Sequence, residues 1–215
     1  MQQLVLDIAP PPAPSLDNFV AGRNAESLAT LVRLADRPDG QIVFLWGPEG
    51  CGRTHLLRGF CERCGADYLE RRIPEDANGI LWAVDGVEAL DAEAQIRLFN
   101  LINRVRAGGG VLVATGSEAP VRLPLREDLA ARLGWGLVFQ LHPLSDAEKE
   151  AALAAHARSR GFDLAPDVTR YLLNHARRDL PSLLSVLDAL DRHSLAVRRP
   201  ITVPLVRDLL QSSLF

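Results

Sequence analysis

A surplus of positive charge is the first thing this sequence lacks. Across 215 residues, 24 lysines and arginines are set against 27 aspartates and glutamates, for a formal net charge of −3. A nucleic-acid backbone is gripped by a basic surface, so direct, sequence-specific DNA binding by this chain is not expected. The arginine pairs Arg71-Arg72, Arg177-Arg178 and Arg198-Arg199 are scattered and read as solvated faces. No apolar run approaches the roughly 20 residues that cross a bilayer. The N-terminus has neither the basic start nor the apolar core of a secretory signal. A cytoplasmic protein with no membrane partner is therefore expected. Cysteine is scarce as well: Cys51, Cys61 and Cys64 are too few, and odd in number, for a disulfide framework, which points to reduced thiols. Cys61 and Cys64 form a C-x-x-C, but no second ligand pair follows, and chance spacing on a helix explains it better than zinc. The five histidines show no metal-ligand spacing either.

What is present is an alternation of buried strands and helices. After MQQLVLDI comes APPPAPS, a proline tract that can neither continue a helix nor join a central strand. Residues 1–15 thus read as a short peptide and linker held away from the body. A helical pattern over Ala25 to Arg37 precedes QIVFLW, Gln41 to Trp46, a buried strand. A helix over Thr54 to Cys64, an apolar run over Gly79 to Val84, a helix over Ala92 to Ala107 and a third apolar run over Gly110 to Thr115 follow. This order predicts an α/β fold, a parallel sheet flanked by helices, over residues 16–144. After a short strand near Leu137 to Leu141 the patterns turn helical: Asp146 to Arg160, Pro166 to Ala176, Leu180 to Leu195 and Pro204 to Ser212. Residues 145–215 therefore read as a small all-helical lid.

Between the first strand and its helix lies GPEGCGRT, Gly47 to Thr54, which has the form G-x-x-x-x-G-K-[ST] with arginine at the lysine position. A glycine loop there turns successive backbone N–H groups and the positive end of the helix toward a phosphate. Gly47, Pro48, Glu49, Gly50, Cys51, Gly52, Arg53 and Thr54 are the expected phosphate-binding residues, with the Thr54 hydroxyl suited to Mg²⁺. A glycine-rich turn that binds nothing is the plainer reading, and it explains the strand-to-helix placement poorly. Arg53 keeps the charge but replaces a slender ammonium with a planar fork. Asp85, at the end of the second apolar run, stands where a Mg²⁺-directing carboxylate belongs. Its neighbour is Gly86 rather than an acid, and Glu88, two residues further on, is expected to face away.

With both motifs in place, DNFVAGRNAESLATL (Asp17 to Leu31) resembles the entry segment of AAA+ proteins of the DnaA type. ARLGWGLVFQLHPLSD (Ala131 to Asp146) resembles their box VII region. The resemblance runs from about Leu16 to the C-terminus and implies an AAA+ core followed by a helical lid. With the sequence ending at Phe215, no helix-turn-helix domain is expected after the lid. Gln3, Leu4, Leu6 and Ile8 resemble the peptide by which proteins dock on the DNA polymerase sliding clamp (its beta subunit). The combination is similar to the Hda family of DnaA regulatory inactivators, in which arginine at the Arg53 position is expected.

That resemblance implies an adenine nucleotide, ADP favoured over ATP, with Mg²⁺ held at Thr54 and Asp85. It implies DnaA and the sliding clamp as partners, and Arg132 as an arginine finger offered to the nucleotide of the neighbour. A salt bridge at a helix end is the plainer reading of Arg132. The position that senses the γ-phosphate falls near Thr115 to Ser117 and is read as Ser117. Pro181 stands where a lid arginine would meet a phosphate, with Arg177 or Arg178 as possible substitutes. Arg53, Gly86 and Pro181 together argue for little independent activity, so the chain is expected to activate hydrolysis in DnaA as a monomer or homodimer. A stand-alone loader or remodelling ATPase, and a clamp-binding scaffold without a catalytic part, are the competing classes.

Overall fold

The apolar run before the glycine loop forms an interior strand of a parallel sheet. In the computed structural model, which describes residues 12–75, 79–177 and 179–212, the chain divides after Pro143 into two compact units. In the first, α1 (Ala25–Asp36) precedes β1 (Ile42–Trp46), α2 (Arg53–Cys64), β2 (Asp67–Leu69) and β3 (Leu81–Val84). Then come α3 (Ala92–Ala107), β4 (Val111–Gly116), α4 (Glu127–Gly134) and β5 (Leu137–Gln140). All strand pairs are parallel, in the order β2-β3-β4-β1-β5.

Successive side chains of a strand point to opposite faces, and this sheet buries both. Val43 and Leu45 of β1 pack with Val111 and Val113 of β4 and with Leu31, Leu34, Leu57 and Phe60 of α1 and α2. Phe44, Leu112 and Ala114 pack on the other side against Leu98, Leu101, Ile102 and Val105 of α3 and Leu129 and Leu133 of α4. Each such valine, leucine, isoleucine or phenylalanine side chain, fully buried, contributes roughly 1.5–3 kcal/mol. All six residues of β4 are buried, which is why it reads as an unbroken apolar run.

The entry segment is fastened to this unit by polar groups. The Asn24 side chain donates to the His142 carbonyl and accepts from its N–H, both at 2.8 Å. His55 on α2 meets the Ser15 carbonyl at 3.0 Å and the Asn18 side chain at 2.8 Å.

Two elements were not expected from the sequence pattern. β2 has three residues, none of them fully buried, too short for a period to show. The eight-residue α4 lacks a side-chain cap at its start, so no capping signal marks it.

The second unit, from Leu144, holds α5 (Asp146–Ser159), α6 (Pro166–His175), α7 (Leu180–Val197) and α8 (Val203–Ser212). Ser145 and Glu148 form a reciprocal capping box at the start of α5. Pro166 opens α6, where a missing N–H costs nothing. Leu153, Leu172, Leu183, Leu187, Leu190, Val206 and Leu209 make its core. No helix among the described residues is long and apolar enough to cross a membrane.

Candidate functional site

β1 runs out at Trp46 and the chain turns through the glycine loop into α2. Gly52 is the residue before the helix, with φ +99°, and no side chain caps the helix start. The first N–H groups of a helix have no partner within it, so this end of α2 presents unpaired donors and the positive end of its dipole. Glycine is required at position 52 for a second reason: the Phe19 ring lies over it, and a Cβ there would sit 2.6 Å from Phe19 Cε2. Pro48, Glu49, Gly50 and Thr54 are exposed around the loop, while Gly47 and Cys51 are buried beneath it. Burial pushes the Cys51 thiol up against the opposing pull of Arg53, so Cys51 packs as a small neutral residue.

Asp85 follows β3, its N–H bonded to the Leu69 carbonyl at 2.8 Å. One of its carboxylate oxygens, Oδ2, accepts from the Thr54 hydroxyl and the Tyr68 hydroxyl, both at 2.8 Å. The other, Oδ1, accepts from the Thr115 hydroxyl at 2.5 Å. Thr115 is fully buried, and its oxygen also accepts from the Gly86 N–H at 2.9 Å. Burial, together with the Asp85 bond, pushes the Tyr68 hydroxyl far above its usual range, so it is held as a donor. The Arg58 guanidinium lies 5.1 Å from the Tyr68 ring centre.

The threonine hydroxyl and carboxylate joined across loop and strand end form a hard oxygen donor pair that fits Mg²⁺. Among the described residues no three His, Cys, Asp or Glu side chains cluster to hold a metal by themselves, so an ion here would complete its shell with phosphate oxygens and water. Tyr68 had no motif to announce it. Thr115 lay in the stretch read for a γ-phosphate sensor, whereas Ser117, one residue past β4, is exposed.

Glu88 corrects an expectation, for it does not face away. Gly86 adopts φ +65° and opens a single 3-10 turn over Val87–Ala89, which carries the Glu88 side chain back toward the loop. Its Oε1 accepts from the Ser117 N–H at 3.0 Å and lies 3.9 Å from Arg53 Nη1. Its Oε2 is buried without a hydrogen-bond partner among the described residues. Beside this group, Glu70, Arg71, Asp85, Gly86 and Ala89 line an open cleft of about 200 Å³.

Arg132 sits in the last turn of α4. Among the described residues it has aromatic neighbours and no salt bridge: its guanidinium carbon lies 4.7 Å from the centre of the Trp135 ring and 5.2 Å from that of Phe99 on α3. The L-G-W-G that follows Arg132 has a physical basis. Leu133 is fully buried, Trp135 is 65 % exposed, and Gly136 passes so close to β1 that a Cβ would collide with the Ile42 carbonyl. Arg126 is engaged with Asp128 at 2.8 Å.

In the lid, Pro181 occupies the first turn of α7, whose cap Asp179 accepts from the Ser182 N–H at 2.9 Å. Arg177 pairs with Asp179 at 3.3 Å. Arg178 lies outside the described residues, as do Gln3, Leu4, Leu6 and Ile8.

A five-stranded parallel sheet in this order, a glycine loop between β1 and α2, a carboxylate at the end of β3 and a helical unit after the core in sequence make an AAA+-like fold. Structures of the same fold agree. Domain III of the Thermotoga maritima replication initiation protein DnaA matches at a TM-score of 0.71 and 18 % identity, covering 94 % of this chain and 98 % of that one. AMPPCP-bound DnaA from Aquifex aeolicus matches at 0.66 and 17 %, covering 87 % and 70 %. The Thermotoga maritima RuvB Holliday junction branch migration motor matches at 0.65 and 16 %, covering 92 % and 71 %. Residues 146–210 match the family described as Hda, lid domain. The helical segment over 146–210 is thus similar to the Hda lid, and it follows a core with the fold of these proteins.

Proposed function

We propose that this protein inactivates the replication initiator DnaA by docking on the DNA polymerase sliding clamp and stimulating hydrolysis of DnaA-bound ATP. The single observation that carries the reading is the Hda lid match over 146–210 behind a DnaA-like core. Gln3, Leu4, Leu6 and Ile8 are the clamp peptide, and the proline linker lets the body reach a partner on the same clamp. Arg132 is the finger that meets charge developing on the partner's γ-phosphate.

The chain's own nucleotide is structural and regulatory. The Gly47–Gly52 loop and the uncapped start of α2 bind its phosphates, Arg53 adds a fixed positive charge, and Thr54 and Asp85 would hold Mg²⁺. When bound, that ion neutralises phosphate charge. An adenine nucleotide is favoured because a DnaA of this fold is seen with AMPPCP, and ADP is favoured over ATP. With Gly86 beside Asp85 and proline at position 181, self-hydrolysis is expected to be slow.

The test is ATP hydrolysis by DnaA with DNA-loaded clamp, with and without this protein and its Arg132→Ala and Gln3→Ala variants. Stimulation by the wild type that is lost in both variants supports the tethered trans mechanism. Stimulation that survives Arg132→Ala removes the finger, and rapid ATP turnover by the purified protein alone contradicts the regulatory reading.

A further inference from the structure

The geometry points to Phe99 and Trp135 as positioning residues that hold the Arg132 guanidinium against two aromatic rings and leave its N–H groups for a phosphate carried by another chain. This rests on the reading of Arg132 as a trans-acting group. A guanidinium is planar, with its five donors in the plane and two weakly hydrated faces. Both faces can be covered by rings without using a single donor, and the attraction of a cation to each ring adds to the contact.

The two rings come from separate elements. Phe99 is half-buried on α3 and packed against the core beneath α4, so its position is fixed by the fold. Trp135 follows Arg132 by three residues, the spacing that places two side chains on one face of a helix, and its N–H closes the end of α4 on the carbonyls of Ala131 and Arg132 at 3.1 and 3.3 Å. Among the described residues no carboxylate lies within ion-pair distance of Arg132, in contrast to Arg126 with Asp128, Arg97 with Glu75 and Glu93, and Arg63 with Asp36. An arginine held by a carboxylate must surrender that partner to meet a phosphate. One held by rings need not, and it loses less rotamer freedom on engagement because part of that freedom is already spent.

The chemistry that fits these N–H groups is the terminal phosphate of a nucleoside triphosphate bound by the partner. The rings act on the rate of hydrolysis there rather than on docking. Phe99→Leu, Trp135→Leu and the double variant are expected to lower the maximal stimulated rate, by roughly tenfold for the pair, with the concentration for half-maximal stimulation unchanged and a small fall in the thermal midpoint confined to variants that carry Phe99→Leu. Trp135→Phe, which keeps a ring, restores most of the rate.

A double leucine variant with full maximal rate overturns the inference. So does a change confined to half-saturation, which would make Trp135 a docking residue, and so does a loss that Trp135→Phe fails to repair. The Arg132→Ala control separates the two levels. If it has no effect, the finger reading fails and this inference falls with it. If it abolishes stimulation while the leucine variants do not, only the positioning role is refuted.

Discussion

Gly52→Ala probes the phosphate loop at its tightest point. Two independent costs arise. The backbone at Gly52 has φ +99°, a left-handed conformation that costs an L-residue about 1–2 kcal/mol. The added Cβ would lie 2.6 Å from Phe19 Cε2 and 3.2 Å from its Cζ, so the ring or the loop must move, at a further cost of about 1 kcal/mol or more. A total near 3 kcal/mol, divided by a urea dependence of about 2 kcal/mol per molar for a domain of this size, lowers the midpoint of urea unfolding by about 1.5 M. All three tryptophans, Trp46, Trp82 and Trp135, lie in the first unit, so their fluorescence reports on the part that contains the loop. Repeating the substitution in a Phe19→Ala background removes the clash and keeps the conformational cost, so the shift should shrink by about a third to a half. A shift of the same size in both backgrounds would refute the steric half of this account. A shift below about 0.3 M in the wild type would refute the whole.

Other perturbations test the site and the lid. Thr115→Val deletes a buried hydroxyl that serves Asp85 and the Gly86 N–H at once. It is expected to destabilise the core by about 1–3 kcal/mol in thermal unfolding, with Thr115→Ser recovering most of the loss. Burial raises the Asp188 carboxyl, but hydrogen bonds from His156 and Arg160 outweigh it and hold the group below the ordinary carboxylate range. Its stabilising contribution is therefore complete above about pH 4 and is lost as pH falls further, through the lowered value. Helical melting curves at pH 7 and pH 3 should show a smaller acid loss in Asp188→Asn than in the wild type. Burial pushes the Cys61 thiol up to about 12, and raises Cys51 and Cys64 as well. At pH 8 all three should alkylate slowly in the native protein and rapidly in urea, and fast native labelling would show that the helix and loop do not bury them.

The large elements were legible in the sequence because each carries a full period of its own kind. The 16 residues from Ala92 to Ala107 give a helical pattern with Leu98, Leu101, Ile102 and Val105 on the buried side, and β4 is apolar throughout. The three-residue β2 carries no such period, and Tyr68 within it reaches Asp85 only because β2 pairs with β3 in parallel, with Leu69 opposite Val84. Such a contact depends on tertiary register, which local composition does not encode. The same holds for Phe99. On α3 it reads as one more apolar residue of a core face, and only the packing of α3 against α4 brings it to Arg132.

Glu88 illustrates a different limit. Counting from Asp85, a strand-like alternation would carry position 88 away from the loop, and the error lies in the backbone between them. Gly86 is not simply a missing acid. Its left-handed φ starts the turn that returns Glu88 to the Ser117 N–H and toward Arg53. The carboxylate is thus on the phosphate side of the sheet, but it comes after a turn and is tied to Ser117, rather than extending directly from the strand beside Asp85. A general base must reach the attacking water with a free oxygen, and here one oxygen is bonded and the other is buried. Arg53 at the lysine position and Glu88 beside it are then complementary: the planar cation is partly balanced by an acid of the same site, which is consistent with the proposed role of a nucleotide held rather than turned over.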